Sequence, residues 1–169
     1  MPTGKSFMNT HWIMSMNKIA LMAALIIQWG CQSNKGYEFE HDFGQEMLWK
    51  EPVAWDWKVQ KNDFDYTLKM DLQCAVHYPF DILPLEWTET HPNGDKITHE
   101  LDVVIRNKDG SFNGDKALDY LNFDIILDEH HTFPTHGQYH YSIQPKMEQF
   151  EAAPFIVEFE IVAVENSTH

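Results

Sequence analysis

The chain has 169 residues with 12 Lys and Arg against 26 Asp and Glu, a formal charge of −14, and it is 43% hydrophobic and 14% aromatic. That is enough apolar material for one core, and a charge of this sign repels phosphate backbones and anionic headgroups, which excludes electrostatic binding to nucleic acid or to a bilayer. Two cysteines, Cys31 and Cys74, exclude a disulfide-dense scaffold and an all-cysteine zinc site.

Lys5 and Lys18 are the only charged residues of the first thirty, so the remainder is more acidic still. Ile19 to Ile27 reads IALMAALII, an apolar run preceded by Lys18 and followed by Gln28, with Gly30 directly before Cys31. As a helix this run is about 14 Å long, well short of the roughly 30 Å hydrocarbon core of a bilayer, so it reads as a signal peptide over residues 1–30 and not as a span. Met8, Met14 and Met16 are alternative starts, and MNKIALMAALIIQWGC from Met16 is a compact signal by itself. The ending Ile27-Gln28-Trp29-Gly30-Cys31 resembles a bacterial lipoprotein cleavage box, in which the cysteine is lipidated and becomes the first mature residue. Gln28 and Trp29 depart from its usual aliphatic and small positions. The alternative is an ordinary secretory cut that leaves Cys31 a free thiol. Two or more acyl chains at about 0.8 kcal/mol per buried methylene anchor firmly, and so acidic a body needs that covalent help to stay at a membrane. Residues 31–36 then form a tether.

From Tyr37 the pattern is that of antiparallel sheet. Tyr37 to Phe43 alternates aromatics with Glu38, Glu40 and Asp42. Val53, Trp55, Trp57 and Val59 follow at every second position. Phe64 to Tyr78 places Phe64, Tyr66, Leu68, Met70, Leu72, Cys74, Val76 and Tyr78 on one phase. Period two means strand. A run of this length predicts a bend or bulge near Gln73, and Pro79 ends it because proline lacks the ladder donor. Leu83 to Trp87 is a shorter strand. Ile97, His99, Leu101, Val103 and Ile105 form the next core face. Asp115 to Leu121 is the best helical candidate, and it is short. Phe123 to Leu127, then Tyr139, Tyr141 and Ile143, and finally Phe155, Val157, Phe159, Ile161 and Ala163 complete the series. Turns at His91-Pro92-Asn93-Gly94-Asp95, Asn107-Lys108-Asp109-Gly110-Ser111 and Phe133-Pro134-Thr135-His136-Gly137 separate them. About eight strands without an internal repeat predict an all-β fold, a single antiparallel β-sandwich over residues 37–164, with a tail at 165–169.

Chemical motifs are sparse. The chain has no G-x-S-x-G elbow, phosphate loop, dinucleotide fingerprint or H-E-x-x-H pair, and the reading is a non-enzyme without a cofactor. Four histidines, His130, His131, His136 and His140, cluster near Asp128 and Glu129, the side-chain types that zinc or iron takes. Against a metal site, His136 sits in a Pro/Gly corner, and His140 falls on the phase opposite the core. Cys74 reads as a small buried hydrophobe. Glu38, Glu40 and Asp42 lack a calcium-loop spacing and read as a wet strand face, with calcium a minor option. Trp49, Trp55, Trp57 and Trp87 are candidates for a sugar-stacking platform or, by phase with Val53 and Val59, for the core.

With the cysteine-terminated signal and the run Asn34 to Glu38 after it, the long alternating strand followed by AVHYPFDIL (Ala75 to Leu83), DGSFNGDKALDY (Asp109 to Tyr120) and HGQYHYSIQPKME (His136 to Glu148) carry a resemblance. The chain resembles the GldH family of gliding-motility lipoproteins over nearly all of residues 31 to 163. The resemblance implies a lipid-anchored envelope protein of Gram-negative gliding bacteria, grouped with the machinery that exports and drives surface adhesins. Of functional positions it carries over only Cys31, as the lipid attachment site. Gly137 and Tyr139 match a Gly-Tyr-containing strand start in the family.

The leading expectation is therefore a non-enzymatic interaction module, held to a membrane by its N-terminal lipid and docking other gliding-motility or secretion proteins of the envelope. The alternatives are a carbohydrate-binding envelope lipoprotein and a metal-dependent hydrolase built on the four histidines. No acidic residue follows Cys31 until Glu38, so the expected orientation is periplasm-facing.

Overall fold

A computed structural model describes residues 35–60, 64–147 and 149–166; the signal peptide and Cys31 lie outside them. Among the described residues the regular structure is strand, apart from one short 3-10 turn at Gly44–Glu46. No helix among them is long and apolar enough to cross a membrane.

Two antiparallel sheets carry the fold. One has five strands in the order β1 (Lys35–Asp42), β11 (Ile156–Glu165), β4 (Asp65–Ala75), β8 (Tyr120–Thr132) and β7 (Asp115–Ala117). The other has four, in the order β3 (Val53–Val59), β9 (Gly137–Pro145), β5 (Ile82–Thr90) and β6 (Lys96–Val104). A small ladder of β2 (Leu48–Trp49) with β10 (Ala153–Pro154) lies outside both. The sheets pack face to face as an all-β sandwich, as the alternation predicts. Val53, Trp55, Trp57 and Val59 are buried, as are Tyr66, Leu68, Met70, Leu72 and Cys74 on β4 and Tyr139, Tyr141 and Ile143 on β9. Burial pushes the Cys74 thiol up to about 12, so it stays protonated and acts as a core hydrophobe.

One flank of the sandwich is closed by aromatic stacking. Tyr37 lies on Trp57 and Phe39 on Trp55, each pair 4.9 Å between ring centroids, which joins β1 to β3 across the layers. At the foot of β1, Phe159 sits among Phe39, His41, Phe43 and Trp49, with centroids 5.1–6.3 Å away. Trp49, Trp55, Trp57 and Trp87 are all buried, so their faces pack the core.

Three sequence readings need correction. The helical candidate Asp115 to Leu121 is a tight hairpin, with Asp115 opposite Asn122, Lys116 opposite Leu121 and Ala117 opposite Tyr120. Two residues, Leu118 and Asp119, make the connection, and too few positions lie between the paired ends for a helical turn to form. The bulge expected near Gln73 falls instead on the partner strand: Ile156 pairs with Cys74 and Glu158 with Gln73, so Val157 is the extra residue of β11. Inserting it shifts the phase, which buries Ile156 and Phe159 and leaves Phe155 exposed at φ 61. Finally, the core face predicted for β6 is only partly buried: Ile97 and His99 are exposed, Leu101 is half-buried against the core, and Val103 and Ile105 are buried.

The hairpin tip yields a first prediction. Leu118 holds φ 57 with its side chain 88% exposed, so it meets left-handed strain without burial in return. Leu118→Gly is expected to raise unfolding stability by about 1 kcal/mol, read from the urea midpoint at unchanged slope.

Candidate functional site

The four clustered histidines separate in space. His130 is exposed, with Nδ1 3.0 Å from Asp65 Oδ2, and that carboxylate raises its pKa above the usual imidazole value. His140 projects from the outer face of the four-stranded sheet, with Nδ1 2.9 Å from Asp56 Oδ1. His136 is exposed in the turn between β8 and β9. His131 alone turns inward, because neighbours on a strand point to opposite faces. Among the described residues no three His, Cys, Asp or Glu side chains converge as a metal site.

What His131 meets is a polar group between the sheets that the sequence reading missed. Its Nδ1 lies 3.1 Å from Asp128 Oδ2, and its Nε2 lies 3.3 Å from the Tyr141 hydroxyl and 3.5 Å from Glu89 Oε2. Glu89 Oε1 is in turn 2.9 Å from His91 Nε2, in close contact but not aligned as a hydrogen bond. Glu89 is 2% exposed and His131 6%, a carboxylate and an imidazole buried in the described core. Burial, with the Asp128 charge adding to it, pushes the Glu89 carboxyl up to about 7, whereas burial lowers His131 against the pull of Asp128. The Tyr141 phenol is driven upward by burial and by Glu89 and stays protonated. Near neutral pH the group is thus a neutral imidazole beside a carboxyl that is partly protonated, linking β5 and β9 of one sheet to β8 of the other. The signal was present in the chain: Glu89 continues the inward phase of Leu83, Leu85 and Trp87, so a carboxylate stands where the strand presents its core face.

The outer face of the five-stranded sheet carries a second feature. Strand register puts Glu40 opposite Glu160, Glu160 opposite Asp71, and Asp71 opposite Asp124, a row of carboxylates crossing β1, β11, β4 and β8. The neighbouring row runs Asp42, Glu158, Gln73, Asn122 and Asp115. Lys69 Nζ approaches Asp124 at 3.8 Å. Like charges directly opposite one another in a sheet repel, so the row concentrates negative potential on this face. A shallow cleft of about 230 Å³ lies along these rows, with Glu40, Asp71, Asp115, Asp124, Glu158 and Glu160 in its lining.

No curated protein matches the chain. The family model described as GldH lipoprotein matches residues 37–158, from Tyr37 in β1 to the bulge of β11, so the match takes in the four-stranded sheet, the five-stranded sheet except most of β11, the buried Glu89–His131 group and most of the acidic rows. The chain belongs to the GldH lipoprotein family, and it is an envelope lipoprotein of the gliding-motility type.

Proposed function

We propose that the protein is a non-enzymatic docking module of the gliding-motility apparatus, tethered to a membrane by acyl chains on Cys31 and facing the periplasm. The observation that carries the docking role is the carboxylate row Glu40–Glu160–Asp71–Asp124, a concentration of negative charge on one sheet face that suits a basic protein partner. Anchoring by lipid confines the body to a surface. A large net negative charge then discourages contact with anionic headgroups and leaves the sheet faces for proteins. The buried tryptophans supply no exposed stacking platform for sugar, and no observation favours the carbohydrate reading over docking.

The test uses the intact gene in its host. Deletion is expected to abolish spreading over a surface, and wild type to restore it. A Cys31→Ser copy is expected to leave the membrane fraction and fail to restore spreading. A serine variant that still sediments with membranes removes the anchoring claim. One that spreads normally as a soluble protein removes the tethered role.

A further inference from the structure

We propose that the free edge of β6 is a strand-addition site, which takes an extended segment of a basic partner whose residues alternate between apolar and Lys or Arg. This rests on the docking role above and names where and how docking occurs.

The two flanks of the sandwich are unequal. At one, β1 and β3 are sealed by stacked rings. At the other, the four-stranded layer stops at β6, while the opposing layer continues through β8 to β7 and is one strand wider. Among the described residues nothing pairs with β6 on its outer side. Its register with β5 runs unbroken from Ile82–Val104 to Thr90–Lys96, with no bulge and no proline to blunt the edge.

Hydrogen bonding shows which backbone groups are unused. His91 N donates to Asp95 O at one end of the hairpin, and Ile105 N donates to Asp81 O at the other, each 2.8 Å. Antiparallel pairs alternate between bonded and non-bonded, so both ends set the same phase: Ile97, His99, Leu101 and Val103 bond to β5. Thr98, Glu100 and Asp102 therefore direct their N–H and C=O groups away from the sheet.

The side chains beneath that edge are also uncovered. Ile97 is 44% exposed, His99 lies over Trp87 with its other side open, and Leu101 and Ile125 are half-buried. Between β6 and β8 a groove of about 430 Å³ is lined by Leu101, Val103, Phe123 and Ile125, with Asp102, Asp115 and Asp124 along it. Asp124 is also the end of the carboxylate row, so that row leads directly to the groove. An added strand would lay alternate apolar side chains into the groove and its cationic ones against these acids. A second copy of this chain would bring its own acids to the same place, which a net charge of −14 opposes.

The test uses the full chain in detergent micelles and a synthetic peptide of about ten residues alternating Val and Lys, roughly the length of a strand. Controls are a peptide of the same composition in two blocks and one alternating Val and Glu. The alternating Val–Lys peptide is expected to bind, and to slow amide exchange at Thr98, Glu100 and Asp102 while leaving Ile97, His99, Leu101 and Val103 unchanged. Asp102→Pro, which removes an outward N–H and no β5 bond, is expected to weaken binding about tenfold. The exchange pattern is read on wild type and does not depend on that variant folding. Equal binding of the block peptide, or protection elsewhere, overturns the proposal. Protection at the same amides that rises with protein concentration and without peptide assigns the edge to a second copy and also overturns it. In cells, crosslinking of wild type and Asp102→Pro to the same envelope protein defeats the β6 assignment alone, whereas failure of wild type to crosslink to any envelope protein defeats the docking role itself.

Discussion

Phe159→Ala is expected to cost about 3–5 kcal/mol, a large part of the stability of a domain this size, and to lower the melting temperature by roughly 10–20 °C. Phe159 is fully buried and contacts Phe39, His41, Phe43 and Trp49, whose rings come from β1, from the turn after it and from β2. These neighbours are held by separate pieces of backbone, so they cannot collapse together into the space a benzyl group leaves. The lost transfer energy and the residual cavity therefore add. Phe155→Ala provides the contrast. Phe155 belongs to the same series in the sequence, yet it is 42% exposed, and its truncation is expected to change stability by no more than about 1 kcal/mol. Urea unfolding of both variants at one pH checks the pair. Equal losses would mean that the bulge at Val157 does not exist and that the strand keeps one phase throughout.

That pair also shows why periodicity read most of this fold and misread some of it. Where a strand itself carries no extra residue, as β4 from Tyr66 to Cys74, alternation in the chain is alternation in space, even though the register of its partners β8 and β11 shifts beside it. A bulge breaks this rule silently, because an extra residue in β11 leaves no mark in composition and only moves the phase of what precedes it. Strand β6 fails for a different reason. Ile97, His99 and Leu101 have the pattern of a core face, but burial needs something opposite, and sequence does not say where a neighbouring sheet ends. The Asp115–Leu121 hairpin was hidden because Leu118 takes a positive φ, where turn chemistry calls for Gly or Asn. As for the candidate site, the histidines stood out by count, but on a strand His130 and His131 face opposite ways. The partner that gives His131 its setting, Glu89, lies on another sheet and far away in the chain. The carboxylate row was visible only as scattered acids, since register alone aligns Glu40, Glu160, Asp71 and Asp124.

Glu89→Gln is expected to change how stability depends on pH, and the sign separates a buried acid from a surface one. In the folded chain the carboxyl ionises near 7, against a value of 4.5 for an unperturbed group. Between those values the folded state holds a proton that the unfolded state has released. The unfolded state therefore binds fewer protons, and stability falls as pH rises through this window. The full loss is present above about pH 7 and amounts to at most about 3 kcal/mol at 1.36 kcal/mol per unit. His131 acts with the opposite sign. Its pKa is lowered by burial, so below its ordinary value of 6.5 the unfolded chain takes up a proton that the folded one resists, and stability falls as pH falls. In wild type the two slopes oppose each other and flatten the profile between pH 5 and 6.5. With glutamine at position 89 the Glu89 slope is gone and no longer offsets that of His131. The variant is expected to gain stability up to about pH 6.5 and then level off, and to exceed wild type most at pH 8, by up to about 3 kcal/mol. Urea midpoints for both proteins at pH 5, 6.5 and 8 measure this. If the two profiles run parallel across that range, Glu89 ionises as an ordinary surface carboxylate, and the contact between β5 and β8 through His131 does not exclude water.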